Sequence, residues 1–213
     1  DGSRWVAYNY KPFPSTFWPT NGSTGDSMIR LPAQFGEVNG TFSKAVYLAN
    51  LSLVEMAIKD MDNIQILPLS EKKLKQDLNG DLLLESAITQ LPRQSHYLGD
   101  ASHIPLSPML FPQGTEFLHT VRYIGVDEQQ RVSMSKRMKE VRYMKKHTLY
   151  TEPDLHSRYG NEKQEKTDGN LPQYINRGTQ GTDNGFGWMV LGFIEAEDGH
   201  LRLQSQEETL FCM

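Results

Sequence analysis

The stretch SKAVYLANLSLVEMAIKDMD, residues 43–62, constrains the fold most. Val46, Leu48, Ala49, Leu51, Leu53, Val54, Ala57 and Ile58 recur at helical spacing, and Ser43 precedes them as a candidate N-cap. Their side chains cover most of the circumference, so a helix over 43–60 is expected at the centre of a core. IQILPL (64–69) reads as a short strand beside it. Residues 91–115 carry four prolines and no period, which predicts a long ordered loop.

Further along, the period changes. In EFLHTVRYIGV (116–126), Phe117, His119, Val121 and Tyr123 alternate with Leu118, Thr120, Arg122 and Ile124. With a turn near Asp127–Gln129 and a return strand, this predicts a hairpin. SKRMKEVRYMKKH (135–147) then reads as a basic helix, with Met134, Met138, Val141 and Met144 as an apolar seam. EPDLHSRYGNEKQEKTDGN (152–170) reads as a short polar helix and loop. FGWMVLGFIEAEDGHLRLQ (186–204) predicts a second hairpin, turning at Glu197–Gly199. Residues 1–42 are rich in aromatics, Pro and Gly. They are too aromatic for a disordered tail, and are expected to wrap the core through Trp5, Phe13, Phe17 and Trp18. Helices and hairpins mix without βαβ alternation and without repeats. The expected class is α+β with long ordered loops, in a single domain over 1–213.

With 213 residues, 23% charged and net charge −4, the chain has no basic footprint for nucleic acid. No apolar run approaches the roughly 18 residues of a membrane span. It opens DGSRWVAYNY with no initiator methionine and no leader pattern, which is expected of a processed chain. Cys212 stands alone, so no internal disulfide forms. Sequons fall at Asn21, Asn39 and Asn50, the last inside the expected helix.

Two motifs carry chemistry. In DLNGDLLLE, residues 77–85, Asp77, Asn79, Asp81 and Glu85 occupy positions 1, 3, 5 and 9 of an EF-hand-like Ca2+ loop. Alternate oxygens in such a loop converge on a hard cation. Leu82 stands where glycine is required, and Ile88 where the bidentate Glu belongs. The competing reading is an Asx-type surface turn on Asn79–Gly80. The basic run Lys136, Arg137, Lys139, Arg142, Lys145, Lys146 and His147 is a solvated helix face, or a docking surface for an acidic partner or cofactor carboxylate. His96, His103, His119, His147, His156 and His200 form no zinc pattern. Neither G-x-S-x-G, Walker A nor G-x-G-x-x-G is present, so hydrolase and kinase readings lack residues.

The end, SQEETLFCM, opens with a capping box, Ser205 and Glu208, which predicts a helix from Gln206 through Phe211. Cys-Met is also how a C-x-x-C-H haem attachment site could begin; a free, inert cysteine is the commoner reading. The strings MIRLPAQF (28–35), GTEFLHTVRYIGV (114–126), SKRMKEVRYMKK (135–146), KTDGNLPQY (166–174), DNGFGWMVLGFIE (183–195) and EETLFCM (207–213) resemble a family of bacterial c-type-cytochrome-like proteins of the periplasm or outer membrane. The resemblance implies that the last string continues into Gly-Cys-His. Cys212 would then attach haem c, and the chain would be the front part of a longer exported protein. A Met or His, among Met134, Met138, Met144, His96 and His103, would supply the sixth iron ligand. Its partner would be a redox protein or a further part of the same chain. The alternative is an exported, non-enzymatic, calcium-stabilised binding or interaction module.

Overall fold

Hydrogen bonds between strands far apart in sequence organise the computed structural model, which describes residues 2–7, 23–170 and 174–212. The elements in chain order begin with strands β1 (Val6–Ala7), β2 (Ser23–Arg30), β3 (Glu37–Val38) and β4 (Thr41–Phe42). Helix α1 (Lys44–Lys59), strand β5 (Asn63–Leu69), helix α2 (Glu71–Leu74) and strand β6 (Ile88–Pro92) follow. After a long connection come β7 (Glu116–Val126), β8 (Val132–Lys146) and α3 (Glu152–Thr167). The chain finishes with β9 (Ile175–Asn176), β10 (Thr182–Asp183), β11 (Trp188–Glu195), β12 (Leu201–Leu203) and α4 (Gln206–Cys212). The class is mixed α+β, predominantly sheet, with 27% helix and 35% strand. By its contacts the chain divides into two compact units, Leu31–Thr115, and Asp1–Arg30 with Glu116–Met213.

The unit Leu31–Thr115 is built on α1. The Ser43 hydroxyl accepts from the Val46 amide at 3.5 Å, and Asp60 closes the helix in the left-handed region. Val46, Tyr47, Ala49, Leu53, Val54, Met56 and Ala57 are all buried, as the near-continuous apolar circumference requires. The ring of Phe35 meets that of Tyr97 edge-on at 4.8 Å. Asn50, wholly buried within α1, donates to the carbonyls of Phe35 (2.7 Å) and Leu98 (3.1 Å) and accepts from the Leu98 amide (2.8 Å). A sequon residue in this position is a structural clamp and no glycan acceptor. β5 pairs with β6 across a bulge between Gln65 and Leu69, and only the last two residues of β6, Leu91 and Pro92, fall inside the loop expected over 91–115.

The other unit is an antiparallel sheet in the order β1-β2-β7-β8-β11-β10-β9, with β12 on β11. Both expected hairpins are present: Gln130 donates to Asp127 across the first turn, and Gly199 to Ala196 across the second. β2, within the segment expected to be irregular, pairs with β7 from Ser23↔Tyr123 to Arg30↔Glu116. Trp5 lies under the Arg30 guanidinium at 4.5 Å; Phe13, Phe17 and Trp18 lie outside the described residues.

The basic helix is not formed. Residues 132–146 are the 15-residue strand β8, paired with β7 on one side and β11 on the other. Thr120 faces Val141, but Arg122 faces Met138, and Ile124 faces Met134. The extra residues of these two register shifts put Val141 and Met138, three apart, on one side of the sheet. Bulges thus imitate a helical period in the sequence. Strand pairing on both sides then overrides the helical propensity of Lys, Arg and Met.

Of the eighteen fully buried hydrophobic side chains among the described residues, seventeen lie in Leu31–Thr115; only Ile29 belongs to the sheet unit. Along β7 and β11 nearly every residue is half-buried, on both faces. An antiparallel sheet packed on one face normally alternates buried with exposed.

Candidate functional site

The loop 77–85 stands on Glu71, the first residue of α2 and fully buried. One Glu71 carboxylate oxygen accepts from the amides of Leu78 (2.8 Å) and Asn79 (3.3 Å), the other from that of Glu85 (2.9 Å). Buried Leu78 anchors the base, and its carbonyl accepts from Gln94 at 2.9 Å. Asp77 accepts from Gly80 (2.7 Å) and Leu82 (2.8 Å), and Asp81 from Leu83 (2.8 Å). The Asn79 amide nitrogen lies between Asp81 and Glu85, 3.2 Å from a carboxylate oxygen of each. The loop thus gathers the four residues picked out in the sequence, with their oxygens on backbone and side-chain amides. Among the described residues no group of three or more His, Cys, Asp or Glu is placed to hold a metal ion. The description of the chain as metal-binding is corrected accordingly: what stands here is a hydrogen-bonded turn.

That turn has an apolar crest. Leu82, Leu83 and Leu84 are 91%, 65% and 43% exposed. Leu82 adopts φ 67°, in the region that glycine or asparagine enters at least cost.

The sheet unit carries a second concentration of chemistry. Glu116 takes hydrogen bonds from Arg30 and Tyr143. Burial works against its ionised form, but these partners hold its carboxyl below the usual range. Arg137 lies over the Tyr123 ring at 5.1 Å, and both side chains donate to Glu195. Lys146 is almost wholly buried, 4.9 Å from the Trp188 ring centre, and burial pushes its ammonium down. His147 Nδ1 pairs with Thr148 at 2.8 Å, while its Nε2 stands 3.4 Å from Asp183. Asp183 also accepts from Gly185, whose carbonyl takes a hydrogen bond from Arg158 of α3. Arg158 stacks on Tyr150, and Tyr159 on Phe186; these contacts seat a helix that has no buried residue. The sequence singled out Arg137, Lys146 and His147 only as members of a basic run; their partners could not be read from it, because the cluster assembles from residues of β8, β10 and α3.

Cys212 is the last residue of α4, whose capping box forms as expected between Ser205 and Glu208; its side chain lies outside the described part of the structure. The histidines go to separate elements: His119 to β7, His147 beyond β8, His156 to α3 and His200 to the second hairpin turn. His96 and His103 lie in the long loop of the other unit, and Met138 and Met144 on β8. No helix among the described residues is long and apolar enough to cross a membrane.

Comparison with known proteins corrects the haem reading. A family model described as a “-like lipoprotein” matches residues 2–213. An uncharacterized lipoprotein of Aquifex aeolicus (strain VF5) is 34% identical over 210 residues, covering 98% of this chain and 32% of the relative. The chain therefore spans about a third of the length of that relative. Neither similarity is to a cytochrome, so the electron-transfer function and the c-type-cytochrome resemblance are set aside. No solved structure matches the chain. With the family model extending over nearly its whole length, the chain belongs to this lipoprotein family.

Proposed function

We propose that the chain is an interaction module of an exported lipoprotein, and that the broad sheet is its contact surface for another polypeptide segment. Family membership accords with export; periplasmic placement is the narrower form of the proposal. The observation that carries the reading is the half-exposed state of both sheet faces. Leu118, Tyr143 and Leu191 share one row, and Val141, Phe193 and Leu203 an adjacent one, and none of them is fully buried. Aromatic and Arg side chains on a partly covered surface are the composition of protein interfaces. The relative's greater length supports the remainder of a longer protein as the occupant.

Hydroxyl-radical footprinting of the 213-residue chain against the native lipoprotein extracted from membranes tests this. Leu118, Tyr143, Leu191 and Phe193 should label readily in the first and be protected in the second. Equal labelling of the sheet in both would refute the proposal.

A further inference from the structure

We propose that the leucine crest of residues 82–84 inserts into the interfacial layer of a phospholipid bilayer. The proposal rests on the lipoprotein family membership and not on the sheet as a contact surface, so the two readings fail independently. Three consecutive leucines at 91%, 65% and 43% exposure form an apolar surface that water opposes. They are presented from a fixed base. Glu71, Asp77 and Asp81 bind the loop amides, Leu78 is buried beneath, and the Lys72 amide donates to the Glu85 carbonyl at 3.3 Å. Little conformational freedom is left to lose on insertion. Leucine at a left-handed position is a local cost that asparagine or glycine would avoid, so the sequence keeps an apolar side chain there against backbone preference.

The shape selects the occupant. Three side chains on a convex turn fall far short of the roughly 800 Å² per partner of a standard protein interface. A second copy would also need a matching hollow. A fluid bilayer needs none, and surrounds an inserted side chain on all sides. Charge does not select the occupant: exposed Lys72, Lys73 and Lys75 lie in the same segment, while Asp77 and Asp81 accept from amides and Glu71 is buried. Over 71–86 these three lysines face four carboxylates, Glu71, Asp77, Asp81 and Glu85, so leucine insertion dominates and headgroup charge is secondary. For a lipid-anchored protein, such a second, weak contact would orient the module on the membrane.

Flotation of the 213-residue chain with phosphatidylcholine vesicles, at low and high salt, provides the test. The wild type should float at both. Leu82→Asn with Leu83→Ser keeps a residue suited to the turn and should lower partition by roughly tenfold or more, with an unchanged melting temperature. Lys72→Glu with Lys73→Glu should weaken binding only to vesicles that contain phosphatidylglycerol. As a measurement independent of the double variant's folding, a polarity-sensitive dye on Leu83→Cys, in a Cys212→Ser background, should shift to the blue with vesicles. No flotation of the wild type, equal flotation of the leucine variant, or an unshifted dye overturns the proposal. So does a leucine-dependent dimer in sedimentation velocity without vesicle binding, which would make a second copy the occupant.

Discussion

Removing the Asn50 side chain should cost the unit Leu31–Thr115 much of its stability. Asn50→Ala strips partners from three main-chain groups: the Phe35 carbonyl, the Leu98 carbonyl and the Leu98 amide. All three bonds are buried, so water cannot replace the lost side chain without entering the core. At about 1–1.5 kcal/mol for each orphaned group, the loss is about 3–5 kcal/mol, before any cavity term. Against the about 5–15 kcal/mol typical of a domain, that is a large fraction. It corresponds to a melting shift of about 15–30 °C for a unit of this size. Asn50→Asp isolates the donors. Its shape is unchanged and its oxygen can still accept from Leu98, but a second oxygen then faces two carbonyls. At neutral pH it should be more damaging than the Ala variant. The folded state would raise the new carboxyl above the about 3.9 of an unfolded aspartate, because protonation restores a donor. The folded chain then binds more protons than the unfolded one, so stability falls as pH rises through that interval, and the deficit of the Asp variant should narrow on acidification. Urea unfolding followed by circular dichroism at neutral and mildly acidic pH measures both effects, and exchange of the Leu98 amide reports the clamp directly. A loss under about 1 kcal/mol for Asn50→Ala, with Leu98 still protected, would refute the reasoning.

Tyr97→Phe should be neutral or stabilising by about 1 kcal/mol in the same urea assay, because the buried Tyr97 hydroxyl has no hydrogen-bond partner among the described residues; a loss of that size would reveal a partner. Hydrogen bonds from Arg202, and then from the Ser205 amide, hold the Glu208 carboxyl down at about 2. Its folded value is depressed, so the capping contribution is complete above the ordinary carboxylate range and is lost as pH falls towards about 2. Carbon-detected NMR titration should place Glu208 there in the wild type and higher in Arg202→Ala, still below the ordinary value because the Ser205 amide remains, and equal titration in both would discard the pairing.

The sequence by itself determined the elements whose causes are local. Ser43 and the apolar ring behind it made α1, the alternation of 117–124 made β7, Ser205 and Glu208 capped α4, and Asp127 and Gly199 turned the hairpins. It also brought Asp77, Asn79, Asp81 and Glu85 into one turn, because Asx side chains bond amides two to five residues away. Tertiary structure alone decided the rest. β8 reads as a helix in isolation and becomes a strand because β7 and β11 pair with it on both sides, its bulges hiding the two-residue period. β2 is a strand only because β7 accepts it. Asn50 looked like a sequon inside a helix, and its role depends on Phe35 and Leu98, 15 and 48 residues away. His147 meets Asp183, and Arg158 meets Gly185, only after β8, β10 and α3 are in place. The haem reading of Cys212 rested on string resemblance with no packing behind it, and family comparison replaced it. Caps, turns and periods act through bonds within a few residues and are written in order along the chain. Register, bulges and clamps act between residues that neighbour one another only once the chain has folded.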